Sequence, residues 1–137
     1  MSLSLLLAIG LVGLFLMVRG HQRQEAARRA PADPDADALR EVAATGADLE
    51  RPATVEFYLY LPARERAERV AQTLGALGYE TALSQDAEGS DWLCLARRPM
   101  ALRLADLHEA RTRLTALAES EEGVYDGWGV DLDEQRA

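Results

Sequence analysis

Apolar positions recur with two alternating periods along residues 54–130. Thr54 to Leu61, TVEFYLYL, alternates with period two. Val55, Phe57, Leu59 and Leu61 point one way, and Thr54, Glu56, Tyr58 and Tyr60 the other, which predicts a strand with one buried face. Pro62 ends it and suits a helix start. From Ala63 to Leu77 the period is helical, with Ala63, Ala67, Val70, Ala71, Leu74 and Leu77 on one stripe. The charged residues between them read as a solvated face, with Glu65 and Arg69 spaced for an i,i+4 pair. Gly78 is a natural residue to close this helix. Tyr79 to Ser84 predicts a second strand, Asp86 to Ser90 a hairpin loop, and Asp91 to Arg97 a third strand with Trp92, Cys94 and Ala96 on one face. Arg103 to Glu119 predicts a second long helix through Leu104, Leu107, Ala110, Leu114, Leu117 and Ala118. Val124 to Val130, VYDGWGV, predicts the last strand.

The order β-α-β-β-α-β predicts an α+β fold: a ferredoxin-like two-layer sandwich, with two helices on one face of a four-stranded antiparallel sheet. The domain is expected over residues 48–132, enough to fold alone.

The chain begins differently. Residues 1–18, MSLSLLLAIGLVGLFLMV, carry no charged side chain. At about 1.5 Å rise per residue such a helix reaches roughly 27 Å, close to the ~30 Å hydrocarbon core of a bilayer. A transmembrane helix is therefore expected to precede the sandwich. A cleaved signal peptide is the rival, but it wants a basic start and a small-x-small cleavage site. Arg19, Arg23, Arg28 and Arg29 follow the run and none precedes it, which places the C-terminal side in the cytoplasm of a bacterial inner-membrane protein. Residues 19–47 read as a flexible tether, poor in large apolar side chains and restricted by Pro31 and Pro34. One short, weakly packed helix is expected within it, from Asp37 to Gly46. Residues 133–137 form an acidic tail.

Charge sharpens this division. The net charge is −8 over 137 residues. Residues 1–47 hold five Arg and five acids, so the excess lies entirely in residues 48–137, with ten Arg against eighteen acids. An acidic domain argues against phosphate binding, and direct nucleic-acid contact is not expected. An RNA-binding use of the sheet would want basic residues beside stacked aromatics; Tyr58 and Tyr60 face the open side, but the surface is acidic. A single cysteine excludes an internal disulfide and a Cys-rich zinc site.

No hydrolase, phosphate-loop or metalloprotease motif occurs, so no catalytic residue, cofactor or metal is expected. Cys94 reads as a packed hydrophobe in mid-strand. His21 reads as a solvated flank residue and His108 as a surface residue of a helix. Glu121 and Glu122, at a helix end, read as solubility residues. The most informative run is Glu121 to Gly129, EEGVYDGWG. Its glycines permit unusual backbone angles. Trp128 either closes the core or stands out as an anchor for a partner, and both readings remain open.

The strand VEFYLYLP, the later LGYE, the strand WLCLARRPM and the closing YDGW (Tyr125, Asp126, Gly127, Trp128) resemble the regulator of ribonuclease activity B family, the ribonuclease E inhibitor protein B domain, over about residues 48–129. The resemblance implies an acidic, non-catalytic domain that inhibits ribonuclease E by binding that enzyme's basic scaffold region. An acidic surface would attract an Arg-rich segment. Tyr125, Asp126, Trp128, Asp131 and Asp133 are the candidate partner-binding residues. A second reading is a membrane-anchored adaptor in envelope or division machinery that uses the same fold.

Overall fold

The computed structural model describes residues 33–133. The expected transmembrane span, residues 19–32 of the expected tether and the tail from residue 134 lie outside the described residues. No helix among the described residues is long and apolar enough to cross a membrane.

Four strands and three helices follow one another as α1 (Pro34–Ala44), β1 (Ala53–Leu61), α2 (Arg64–Ala76), β2 (Glu80–Gln85), β3 (Trp92–Met100), α3 (Leu104–Ser120) and β4 (Val124–Asp131). The sheet order is β2-β3-β1-β4, with every neighbouring pair antiparallel. The units β1-α2-β2 and β3-α3-β4 therefore interleave, each accepting a central strand of the other. That is the split strand–helix–strand plan expected from the periodicity.

Alternation in β1 and β3 builds the core. Val55, Phe57, Leu59 and Leu61 pair in register with Arg98, Ala96, Cys94 and Trp92. All four β1 side chains, with Cys94 and Ala96, are buried against Ala67, Val70 and Leu74 of α2 and Leu107, Leu114 and Ala118 of α3. These are the apolar stripes predicted from period 3.6. Arg69 departs from expectation: its guanidinium does not pair with Glu65 but makes two hydrogen bonds to Glu121, at 2.9 and 3.0 Å. Arg66 reaches the same carboxylate at 3.3 Å. Glu121 thus ties α2 to the end of α3, and these bonds, chiefly that from Arg69, hold its carboxyl below the usual range.

The expected tether is corrected over its described part. Helix α1 starts at Pro34, three residues earlier than predicted, and it is packed. Asp33 caps it, its carboxylate accepting from the amides of Asp35 and Ala36 at 3.1 Å. Pro34 stands at the first helical position, where its missing N–H is no loss and its fixed φ suits the helix. Ala38 and Val42 are buried in the common core, and Leu39 packs against it. The segment after α1 is also fastened, since the Leu102 amide donates to the Leu49 carbonyl at 2.8 Å. The folded unit therefore includes residues 33–47.

After α3 the chain turns sharply into β4. Glu122 takes a left-handed conformation (φ 62°), and Gly123 follows it. A Cβ on Gly123 would lie 2.4 Å from both the Tyr60 carbonyl oxygen and Leu61 Cδ1. Only glycine lets β4 enter the sheet this close to the end of β1.

Candidate functional site

The YDGW run contains a bulge. Opposite β1, Phe57 pairs with Trp128 and Leu59 with Tyr125. Asp126 and Gly127 together thus face the single residue Tyr58, and Gly127 sits at φ 101°. A glycine in that region is the backbone signature of an extra residue inserted into one strand. Across the bulge, Tyr125 and Trp128 both point toward the helices, although residues three apart in a regular strand point oppositely.

Trp128 is 0% exposed, so it closes the core; the exposed-anchor reading fails for it. Tyr125 is also buried and is corrected in the same way. Beneath these rings lies a polar cluster that joins three elements. The Asp35 carboxylate of α1, itself 0% exposed, accepts from Trp128 Nε1 at 3.1 Å. It also accepts from Arg111 Nε and Nη2 of α3, both at 2.9 Å. Two parallel bonds to a guanidinium are the strong form of this pair. Burial alone would lower the Arg111 guanidinium, but the bonds and charge of Asp35 more than reverse that, and its pKa is raised. The same guanidinium lies 5.3 Å from the Tyr125 ring centre, within range of a cation–π contact.

The Tyr125 hydroxyl is buried with no hydrogen-bond partner, and burial, with the Asp35 charge behind it, pushes its pKa up. Leaving a buried hydroxyl unpaired costs about 1–3 kcal/mol. Tyr125→Phe is therefore expected to raise unfolding stability by about 1 kcal/mol, measured by urea denaturation. A loss of stability would show that the hydroxyl makes a bond in solution.

Next to this cluster, His108 Nε2 lies 2.9 Å from Asp33 Oδ2. Burial pulls the Asp33 carboxyl up, but the Ala36 amide and His108 outweigh it and the net shift is downward. Asp33, Asp35 and His108 bring three potential metal donors within 4.8 Å of one another. Asp35 is already committed to a guanidinium and an indole N–H, so a divalent cation there would face the positive charge of Arg111. The chemistry of this cluster is a structural clamp, and no metal role is assigned to it. Cys94 is buried in the sheet, and burial pushes its thiol up to about 11, which leaves it a packed hydrophobe.

The opposite face of the sheet carries no helix among the described residues. Register places Thr54, Glu56, Tyr58 and Tyr60 of β1 there, with Leu93, Leu95 and Arg97 of β3 beside them. Tyr58 is buried, while Tyr60, Leu93 and Leu95 are partly exposed. Arg97 Nε lies 3.1 Å from Glu56 Oε2, yet Nε has no hydrogen-bond partner, so the contact is Coulombic without alignment. Burial, and to a lesser degree the charge of Asp131, raise the Glu56 carboxyl despite Arg97.

One end of this face is concave. A pocket of about 400 Å³ opens between Tyr60, the start of β4 and the hairpin that joins β2 to β3. That is within the range of small-ligand sites, ~300–1,000 Å³. Its described lining holds four carboxylates, from Asp86, Glu88, Asp91 and Asp126. Asp86 also shapes the hairpin, accepting from the Ser90 amide at 3.0 Å and the Asp91 amide at 3.2 Å. Val124 supplies an apolar wall and is 58% exposed.

Of the five candidate partner-binding residues, the structure thus turns Tyr125 and Trp128 inward. It leaves Asp126 on the open face, lining the pocket while 8% exposed. Asp131 and Asp133 are half-exposed at the far end of β4 and do not join the pocket. Sequence reasoning missed Asp35, Arg111, Glu88 and Asp91. The Asp33-Pro34 cap signal was present; nothing local marked the hairpin acids as neighbours of Asp126.

Residues 32–130 match the family model described as regulator of ribonuclease activity B. The match begins at residue 32, just before α1, and ends at Val130, the last buried residue of β4, so it takes in α1 as well as the sheet. No curated protein matches the chain.

Proposed function

Because the chain belongs to the regulator of ribonuclease activity B family, we propose that it is a non-catalytic inhibitor of ribonuclease E-type RNA decay, acting by protein–protein contact. The family is one of regulators of ribonuclease activity, and its activity requires a protein partner. The match over residues 32–130 is the observation that carries this reading. The charge of the chain supports the choice of partner. The −8 of residues 48–137 would attract the basic scaffold region of ribonuclease E, and a rim of surface acids chiefly accelerates such an encounter.

The same reading extends to location. The uncharged run at residues 1–18, followed by Arg19, Arg23, Arg28 and Arg29, would hold the domain on the cytoplasmic side of the bacterial inner membrane. The acidic domain would then meet RNA-decay machinery at that surface.

The test is an RNA-cleavage assay with the full chain. It is expected to slow ribonuclease E that retains its scaffold region and to leave the isolated catalytic part unaffected, with the inhibition weakening as salt is raised. Equal inhibition of both enzyme forms, or inhibition of neither, would overturn the reading.

A further inference from the structure

The sheet ends in two edge strands, and they end it differently. β4 is broken by the bulge at Asp126 and Gly127, a device that spoils an edge for further pairing. β2 has no such guard. It pairs with β3 without a break from Glu80 opposite Arg97 to Gln85 opposite Trp92, and it contains no proline. Thr81, Leu83 and Gln85, on its helix-facing side, carry no charge.

The hairpin fixes which backbone groups of β2 point outward. The Asp86 amide donates to the Asp91 carbonyl at 2.9 Å, in register with the ladder. Direction alternates along an antiparallel strand, so Glu80, Ala82 and Ser84 turn their N–H and C=O groups to β3. Thr81, Leu83 and Gln85 turn theirs away from it. Among the described residues, β2 has β3 as its one neighbouring strand. We propose that this outer edge of β2, with the groove beside it, docks an extended, arginine-bearing segment of a protein partner as a fifth strand. The inference rests on the binding reading above and adds where the contact is made and by which chemistry.

Strand addition of this kind draws affinity from main-chain bonds and specificity from the places where alternate side chains land. Here they land in a groove of about 580 Å³ between α2 and β2, lined by Glu65, Glu68, Arg69, Ala71, Gln72 and Leu83. Leu83 and Ala71 are partly buried against the core and form its apolar floor. Glu65 and Glu68 are exposed on its wall. The one cation of that lining, Arg69, spends its guanidinium on Glu121. Arginine fits both parts, since its stem lies along apolar surface while its head pairs with a carboxylate.

A second copy of the chain fits less well. Two β2 strands that use all three outward residues meet about a two-fold axis at Leu83. That register sets Glu80 of each copy opposite Asp86 of the other, and like charges directly opposite destabilise a strand pair. Each copy also carries a net charge of −8.

The experiment measures binding of a fluorescent peptide of alternating arginine and threonine to the full chain at low salt. In the added antiparallel strand, residues opposite Thr81, Leu83 and Gln85 face the helices and point their own N–H groups at β2. Those are the arginines. N-methylation of the arginine amides is expected to weaken binding about tenfold, and N-methylation of the threonine amides, at equal charge, less than about twofold.

Two protein variants read the same site. Thr81→Pro removes one outward N–H at an edge position where proline spares the ladder to β3. Glu65→Gln with Glu68→Gln removes the charge of the groove and keeps the test independent of how the proline variant folds. Each is expected to weaken binding about tenfold, the glutamine pair at an unchanged melting temperature. A control with the same charge change outside the groove, Glu50→Gln with Glu119→Gln, is expected to change affinity less than about twofold. Equal losses from both N-methyl peptides, or from control and groove variant, would mean attraction to net charge alone and would overturn the proposal. So would failure of the wild type to bind. Self-association of the chain that Thr81→Pro abolishes would give the edge to a second copy and overturn the choice of occupant.

The same variants are then run in the ribonuclease E cleavage assay. Edge-dependent peptide binding without effect on inhibition leaves the docking edge standing and removes that enzyme as its partner. Inhibition by the wild type with edge-independent peptide binding does the reverse.

Discussion

Asp35→Ala is expected to destabilise the domain by about 3–5 kcal/mol, measured by urea denaturation of the full chain. The carboxylate is fully buried, and it is the shared acceptor of a guanidinium and an indole N–H. Removing it leaves a half-buried Arg111 and a buried Trp128 N–H without their acceptor. The penalty is dominated by those orphaned donors rather than by lost contact area, because unpaired buried charge is costlier than a missing pair is weak. Asp35→Asn sharpens the test. The amide can still accept from Trp128 Nε1 but cannot offer Arg111 a charged, two-pronged acceptor, so an intermediate loss is expected. Replacing both partners by apolar residues, Asp35→Leu with Arg111→Met, is expected to recover much of the stability lost by either change alone. A loss below about 1 kcal/mol for Asp35→Ala would show that α1 is not docked on α3 in solution.

Trp128→Ala is expected to cost a similar amount, about 3–5 kcal/mol. The ring is fully buried, belongs to the residue paired directly with Phe57 and donates to Asp35. Its removal creates a cavity and frees the lip of that buried carboxylate at once. Trp128→Phe keeps most of the packing and drops the N–H, with an expected loss of about 1–2 kcal/mol. The two readings of this residue predict different observables. A core residue loses partner binding only as far as the fold is lost, so the folded fraction and the bound fraction should decline together. A docking anchor would lose binding at unchanged melting temperature. That second outcome would contradict the buried position of Trp128.

The contrast between these two residues and the hairpin acids separates buried positions that hold the domain together from exposed ones that do not. Substitutions at Asp35, Arg111 and Trp128 act through stability. Substitutions at Glu88, Asp91 and Val124 act on a surface that the fold does not depend on, since all three are exposed. YDGW divides between the two: its tyrosine and tryptophan face inward, while its aspartate lines the pocket.

Much of the architecture was legible in local pattern. Period two in Val55, Phe57, Leu59 and Leu61, and period 3.6 in Ala67, Val70, Leu74 and in Leu107, Leu114, Ala118, report which side of each element meets the core, because burial repeats with the geometry of the backbone itself. The acidity of residues 48–137 and the uncharged run at residues 1–18 are likewise properties of sequence alone. Other features arise only when distant residues meet. The bulge at Gly127 reverses the direction of Trp128 relative to simple alternation, since its register is set against β1. Helix α1 reads as weakly packed because its few apolar residues, Ala38, Leu39 and Val42, are joined in holding it by a charged side chain, Asp35, whose partners stand on α3 and β4. The pocket joins Tyr60, the hairpin acids and Asp126 across two strand boundaries. Such groupings depend on which strands become neighbours, and a period along the chain carries no information about partners beyond its own element.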